Sequence, residues 1–390
     1  MIPYARQEIT DKDLKSVEIA LKAEFITQGE KTKDFESAIS DYCKAKFAIA
    51  TNSATSALHL ACLALGVSDG DTVWTSANTF VASANCALLC GALVDFVDIE
   101  LNSYNLCPDA LEEKLKIAKK KGNLPKVIIL VHFAGQPCDL HRIKNLQGLY
   151  GFKIIEDASH AIGAKYCGEE IGNGNYGDIT IFSFHPVKII TTGEGGMCVT
   201  NNERYADTIC KLRSNGIIRK PPAEQFVVDY EIWNYHQESI GFNYRLTDFQ
   251  SALGLSQLSR LDNLVQRRHQ IANEYFKSLA DLPIILPAQL EKNYSSFHLF
   301  PIRIEYLNEN TNQKKLFSYL RKKNIHVNLH YIPVYLHPYY QTKGIPRNYC
   351  PRAEKYFLET ISIPIYSGLS DMDQKSVIKC INEFFRYCLN

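Results

Sequence analysis

The sequence predicts an α/β protein, with a large, mostly parallel sheet wrapped by helices, a linking helix and a smaller C-terminal α/β unit. Three observations lead there. From about residue 46 to 200, short β-branched runs alternate with helical patterns, as strands joined by crossover helices do. That alternation breaks at an irregular stretch, 217–239, which contains Pro221-Pro222 and reads as an excursion over the surface. A shorter α/β pattern follows it. A chain of 390 residues exceeds what one compact core usually holds. Two units are therefore expected, 1–255 and 256–390.

The elements follow in order. Phe47 to Thr51, Thr72 to Thr75, Leu93 to Ile99, Val127 to Val131, Lys153 to Glu156, Ile179 to Ser183 and Met197 to Thr200 read as buried strands, being short, apolar and β-branched. Ala54 to Leu65, Pro108 to Lys121 and Leu140 to Leu149 carry helical patterns between them. One long helix is expected from Thr247 to about Leu279, rich in Leu, Gln and Arg at helical spacing. The C-terminal unit then reads as a strand near His298 to Ile304 and a helix from Asn312 to Lys323. Strands near His326 to Leu329 and Ile361 to Ile365 follow, with a last helix from Asp371. In sheets of this kind ligands sit beyond the carboxyl ends of the strands, so the residues just after each strand are the candidates.

Composition narrows the function. A formal net charge of +1 gives no global field for nucleic acid or an anionic membrane, so an anionic ligand needs a local site. The twelve cysteines form no Cys-x-x-Cys pair. Cys86 and Cys90 lie in an apolar run with no neighbouring histidine in sequence, which points to helix packing, and no metal centre is expected. The N-terminal residues are too polar for a targeting segment, and no run approaches the ~18 apolar residues of a membrane helix. Free thiols then point to a soluble, cytoplasmic protein.

Three segments carry chemistry. Lys188 lies between an apolar strand and the turn Thr191-Thr-Gly-Glu-Gly-Gly196. Its apolar and small neighbours would desolvate the ammonium and favour the neutral amine that covalent carbonyl chemistry needs. Asp157 ends the strand Ile154-Ile-Glu-Asp157. It suits either a helix N-cap or a partner for a protonated pyridine nitrogen. Thr51-Asn-Ser-Ala-Thr-Ser-Ala-Leu58 turns a strand into a helix through small hydroxyl residues, and the exposed amides of such a turn suit a phosphate. No Walker loop occurs, and no Gly-x-Gly-x-x-Gly leads from a strand into a helix. Together the three fit one ligand, with a phosphate cradle, an acid for a pyridinium and a lysine for an aldehyde.

The order and wording of these segments resemble the DegT/StrS group of sugar aminotransferases. The motifs are Thr27-Gln-Gly29, Asn52-Ser-Ala-Thr-Ser-Ala57, Glu156-Asp-Ala-Ser-His160, Phe182-Ser-Phe-His-Pro-Val-Lys188 and Gly241-Phe-Asn-Tyr-Arg-Leu-Thr-Asp248. The likeness runs from Tyr4 to the last helix. It implies the fold-type I architecture of pyridoxal 5'-phosphate (PLP) enzymes, aspartate aminotransferase-like. Lys188 is then the residue that carries PLP and shuttles protons, Asp157 pairs with the ring nitrogen, and His160 lies close to the cofactor. Phe80 stacks on the ring, where base rates alone would make it a core aromatic. Ala54, Thr55 and Ser183 hold cofactor oxygens, and Asn243 reaches the phosphate of a partner subunit. A homodimer with shared sites is therefore implied. For the sugar nucleotide the matching positions are Tyr4, Glu24, Phe25, Ile26 and Thr27, with Ala54, Ser183 and Asn243, then Asn328, Leu329, His330 and Tyr331.

Within the family, Ser183-Phe-His-Pro-Val-Lys188, Ala252-Leu-Gly-Leu-Ser-Gln-Leu258, His330-Tyr-Ile-Pro-Val334 and Pro364-Ile-Tyr-Ser-Gly-Leu369 are similar to the branch acting in pseudaminic acid biosynthesis. That likeness implies L-glutamate as amino donor and a UDP-linked 4-keto-6-deoxy-N-acetylhexosamine as acceptor. Arg213-Ser-Asn-Gly216 departs from the family, which more often has histidine before this glycine. Rival readings are a C3-aminating enzyme, a PLP sugar dehydratase and a PLP-binding regulator. The dehydratase reading would need histidine in place of Lys188, and the intact Lys188 and Asp157 also argue against a regulator without turnover.

Overall fold

The computed structural model describes residues 1–219, 231, 233–304, 309 and 311–389. Pro221-Pro222 of the irregular stretch lies outside the described residues.

The strands β1 (Phe47–Thr51), β2 (Thr72–Ser76), β3 (Leu93–Val97), β4 (Val127–Val131) and β5 (Lys153–Asp157) match the expected alternation. After the short β6 (Lys165–Tyr166) and β7 (Glu169–Glu170) come β8 (Ile179–Ser183) and β9 (Gly196–Thr200). Seven of these form one sheet in the order β1-β9-β8-β5-β4-β2-β3. Every pairing in it is parallel except the two that β9 makes. β4, β8 and β9 are buried at every position, because apolar layers cover both faces of the sheet. The two-residue period sorts the side chains. Ile128, Ile154 and Phe182 pack on one face with Phe35 and Trp74, whereas Ile129, Ile155 and Ile181 pack on the other with Leu58 and Val73.

β10 (Ile217–Ile218) pairs with β11 (His236–Gln237) beyond the sheet. A separate core gathers around the antiparallel sheet of β12 (Ile284–Ile285), β14 (Phe300–Ile304) and β15 (Thr360–Ile363). The helices Gln313–Lys322 and Asp371–Leu389 cover it. Between β12 and β14, β13 (Asn293–Tyr294) pairs with β6.

Three expectations need correcting. The long helix is two, Asp248–Leu258 and Leu261–Ser278. Arg260 sits at the break, where its guanidinium donates to Glu8 Oε1 at 2.7 Å and Asp13 Oδ2 at 2.6 Å. Binding the N-terminal segment there competes with continuing the helix. Residues 326–329 form no strand beyond an isolated bridge, Asn328 to Ser362. His326 N–H donates instead to Ile2 O of the N-terminal arm, which turns the backbone toward the sheet edge. Cys86 is indeed buried in the helix Ala82–Leu89, but Cys90 meets a histidine that sequence spacing conceals. Hydrogen bonding with Cys62, and then with His59, brings the Cys90 thiol down to about 6. No helix among the described residues is long and apolar enough to cross a membrane.

Candidate active site

Register brings the three chemical segments to one edge. Thr51 and Ser183, the last residues of β1 and β8, both lie opposite Gly196, the first residue of the reversed strand β9. Asp157 lies opposite Val131 and Ile181 in the neighbouring strands. The loop that carries Lys188 therefore leaves and returns on the same edge. Glycine at 196 is required, because a Cβ there would come within 2.6 Å of Ala54 N. A cavity of about 370 Å³ opens at this edge, lined among others by Ala54, Thr55, Phe80, Asp157, Ser183 and Lys188.

The helix Ala54–Ala64 starts in that cavity. Ser53 caps it, its Oγ accepting from Ser56 N at 3.1 Å. The cap leaves the amides of Ala54 and Thr55 at the positive end of the helix, beside the cavity. The Lys188 loop is clasped at its neck. Phe184 N donates to Gly195 O at 2.9 Å, and Thr192 N donates to Phe184 O at 3.0 Å. Thr191 Oγ1 donates to Phe184 O, and Thr191 N donates to Gln257 Oε1. Lys188 is half-buried and lines the open cavity. Burial outweighs the pull of Asp157 and lowers the amine from 10.5 to about 8.

Asp157 does not cap a helix, since none begins at 158. Its Oδ1 accepts from Ser159 N at 3.1 Å in a tight turn, and its Oδ2 accepts from Ser83 Oγ at 2.7 Å. Phe80 is 56% exposed and faces the cavity, so it is not a core aromatic.

His160 Nδ1 accepts from Ala134 N at 3.3 Å, which places the ring proton on Nε2, 3.2 Å from Tyr331 Oη. The Tyr331 hydroxyl thus accepts from His160 and keeps its own proton for the cavity. Burial, then Lys188 and His330, holds His160 well below the usual imidazole range, so the ring is neutral. His330 is pushed to about 3 by burial and by Lys188. Its Nδ1 lies 2.9 Å from Ser362 Oγ, and Asn328 Nδ2 donates to its Nε2 at 3.4 Å. Tyr4 packs on the same ring at 5.4 Å. Tyr4, Asn328, Leu329, His330 and Tyr331 all line the cavity.

Five of the expected residues do not meet there. Glu24, Phe25, Ile26 and Thr27 are exposed, outside the cavity lining, and so is Asn243. Ile26 and Thr27 meet the start of the helix Asp248–Leu258: Thr27 bridges to Thr247, and Ile26 O accepts from Asp248 N at 2.9 Å, while Asn243 bridges to Ser214. Thr79, Ser83 and His298 were not singled out in the sequence. The four-residue spacing of Thr79 and Ser83 at a helix start signals a hydroxyl pair on one face, but His298 carries no local signal.

The residues present fit PLP. Free amides at a helix start suit a phosphate, Asp157 a ring nitrogen, an uncovered aromatic a ring face, and a partly neutral lysine an aldehyde carbon. Residues 7–382 match the model of the "DegT/DnrJ/EryC1/StrS aminotransferase family". The chain is 38% identical to a UDP-4-amino-4,6-dideoxy-N-acetyl-beta-L-altrosamine transaminase of Campylobacter jejuni, over 97% of this chain and 96% of that protein. Its structure is similar to that of PseC from Helicobacter pylori, an aminotransferase involved in pseudoaminic acid biosynthesis, with TM-score 0.88, 30% identity and 99% of both chains covered. It is equally similar to the PLP form of the putative sugar aminotransferase Spr1654 from Streptococcus pneumoniae, with TM-score 0.89, 29% identity and both chains covered in full. This chain therefore belongs to the DegT/DnrJ/EryC1/StrS aminotransferase family.

Proposed function

We propose that the chain is a PLP-dependent aminotransferase that moves the amino group of L-glutamate to C4 of a UDP-linked 4-keto-6-deoxy-N-acetylhexosamine. The product would be UDP-4-amino-4,6-dideoxy-N-acetyl-β-L-altrosamine, for pseudaminic acid biosynthesis. One observation carries the reading: Lys188, its amine lowered to about 8, shares a cavity with Asp157 and the amides of Ala54 and Thr55. The sugar and the ring position are supported by the likeness to the altrosamine transaminase and to PseC.

When bound, the cofactor supplies an electrophilic carbon and an electron sink for the carbon being deprotonated. Lys188 Nζ would hold it and, as a free neutral amine, would take the proton from the donor Cα and return it to the cofactor's carbon. The Ala54 and Thr55 amides bind its phosphate, with Ser183 beside them. Asp157 keeps the ring nitrogen protonated, and Phe80 covers one face of the ring. His160 orients the Tyr331 hydroxyl, and Tyr4, Asn328 and His330 present polar edges to the sugar nucleotide. The test is incubation with UDP-4-keto sugars and glutamate, followed by NMR of the product. An axial or equatorial amine at C4 identifies the stereochemistry, and an amine at C3 overturns the ring assignment.

The same reading includes a homodimer with shared sites. Asn243 is exposed, and so are the neighbouring apolar residues Phe25 and Ile26, at 61% and 46%. Burial of such a patch against a second copy supports dimer formation. The Asn243 amide then meets the partner's cofactor phosphate, and Glu24 to Thr27 contribute to sugar binding. Loss of that hydrogen bond should cost about 1.5 to 3 kcal/mol of cofactor affinity. Mixing inactive Lys188→Ala subunits with inactive Asn243→Ala subunits should restore part of the activity, because each heterodimer has one site free of both lesions. No recovery despite proven subunit exchange would place Asn243 in its own subunit's site.

A further inference from the structure

Asp157 receives its second hydrogen bond from a residue on another element. Ser83, fully buried in the first turn of the helix Ala82–Leu89, donates from Oγ to Asp157 Oδ2 at 2.7 Å. A serine hydroxyl has one proton, and the carboxylate takes it. The contact of 2.8 Å between Ser83 Oγ and Thr79 Oγ1 must therefore run from Thr79 to Ser83. Thr79, also buried, lines the cavity. Two hydroxyls in line thus end on one carboxylate oxygen, Thr79 donating to Ser83 and Ser83 to Oδ2, while Ser159 N–H holds the other oxygen.

We infer that Thr79 and Ser83 form a directed hydroxyl relay that makes Ser83 a positioning residue for Asp157, fixing the rotation of its carboxylate toward the ring nitrogen of PLP. The inference rests on the proposed role of Asp157 in a PLP site. A hydrogen bond to a charged group is roughly twice as strong as a neutral one, and a donor already polarised by a second hydroxyl strengthens it further. The relay also fixes which edge of the carboxylate remains open to the cavity. An unanchored carboxylate would be free to turn away from the ring. Only a hydroxyl at 83 serves. Alanine leaves Thr79 donating to nothing and Asp157 short of one donor, while threonine keeps the group.

The test uses the enzyme loaded with PLP labelled with nitrogen-15 in the ring, comparing wild type, Ser83→Ala and Ser83→Thr. In wild type the ring-nitrogen signal should stand at the protonated position. In Ser83→Ala it should move toward the unprotonated position, and the glutamate half-reaction should slow roughly ten- to hundredfold. Ser83→Thr should restore both. If Ser83→Ala does not fold, Thr79→Val takes its place, removing the donor to Ser83 and moving the signal the same way by a smaller amount. A folded, loaded Ser83→Ala protein with an unmoved signal overturns the inference and reduces Ser83 to packing. A wild-type protein with no protonated ring signal instead contradicts the role given to Asp157, so the two failures are distinguishable.

Discussion

Replacing Lys188 with alanine should abolish transamination while the protein stays folded and still takes up PLP. The fold does not depend on this side chain. Its loop is clasped by the bonds of Phe184, Thr191 and Thr192, and none of them involves the lysine amine. Burying that amine lowers it to about 8, so the folded state works against a charge that alanine does not carry. In the proposed site, phosphate and ring contacts come from other residues, which would leave noncovalent affinity in the variant. The chemistry has no such substitute. His160 and His330 are neutral, but His160 is already bonded at both ring nitrogens, and His330 meets Ser362 and Asn328. Loss of the group proposed to take the Cα proton should slow the glutamate half-reaction about ten-thousandfold. Stopped-flow absorbance of the loaded variant with glutamate measures this, and a rate within tenfold of wild type would remove Lys188 from the proton transfer.

The second large effect is expected at Asp157. Asparagine keeps the size and one carbonyl oxygen, but it cannot accept from both Ser83 Oγ and Ser159 N with its two terminal atoms. It also lacks the charge that holds a pyridine nitrogen protonated. Asp157→Asn should therefore slow Cα proton removal about a thousandfold, or about 4 kcal/mol of transition-state stabilisation. The same half-reaction, followed at saturating PLP, tests it. Near-normal rates with the cofactor bound would leave Asp157 as no more than the anchor of the Ser159 turn.

The residues that meet at the cavity were legible where chemistry follows a strand. β5 and β8 are short apolar runs whose last residues are Asp157 and Ser183, and the Thr51–Ser53 turn ends β1. Local pattern places such residues at a sheet edge, and the fold class then fixes which edge. What it could not give was pairing across the chain. Ser83 reaches Asp157 over 74 residues, and His298 reaches the cavity from the C-terminal unit. The break at Arg260 was hidden for the same reason, since its ion partners Glu8 and Asp13 lie far back in the sequence. Hydrophobic periodicity registers a face, and Leu, Gln and Arg keep it across the break. The backbone at 326–329 reads as a strand in the sequence, yet it splits its hydrogen bonds between the N-terminal arm at His326 and Ser362 at Asn328. Residues Glu24 to Thr27 and Asn243 were placed by resemblance alone, and a single chain leaves them on its outside.

The central claim is that Lys188 is the residue that carries the cofactor. Borohydride added to the PLP-loaded protein converts the link between cofactor and lysine into a stable bond. Digestion and mass spectrometry then locate it. The account predicts one labelled peptide, containing Lys188, and loss of the label in Lys188→Ala. A label on another lysine, such as Lys211, with Lys188 unmodified, would contradict it.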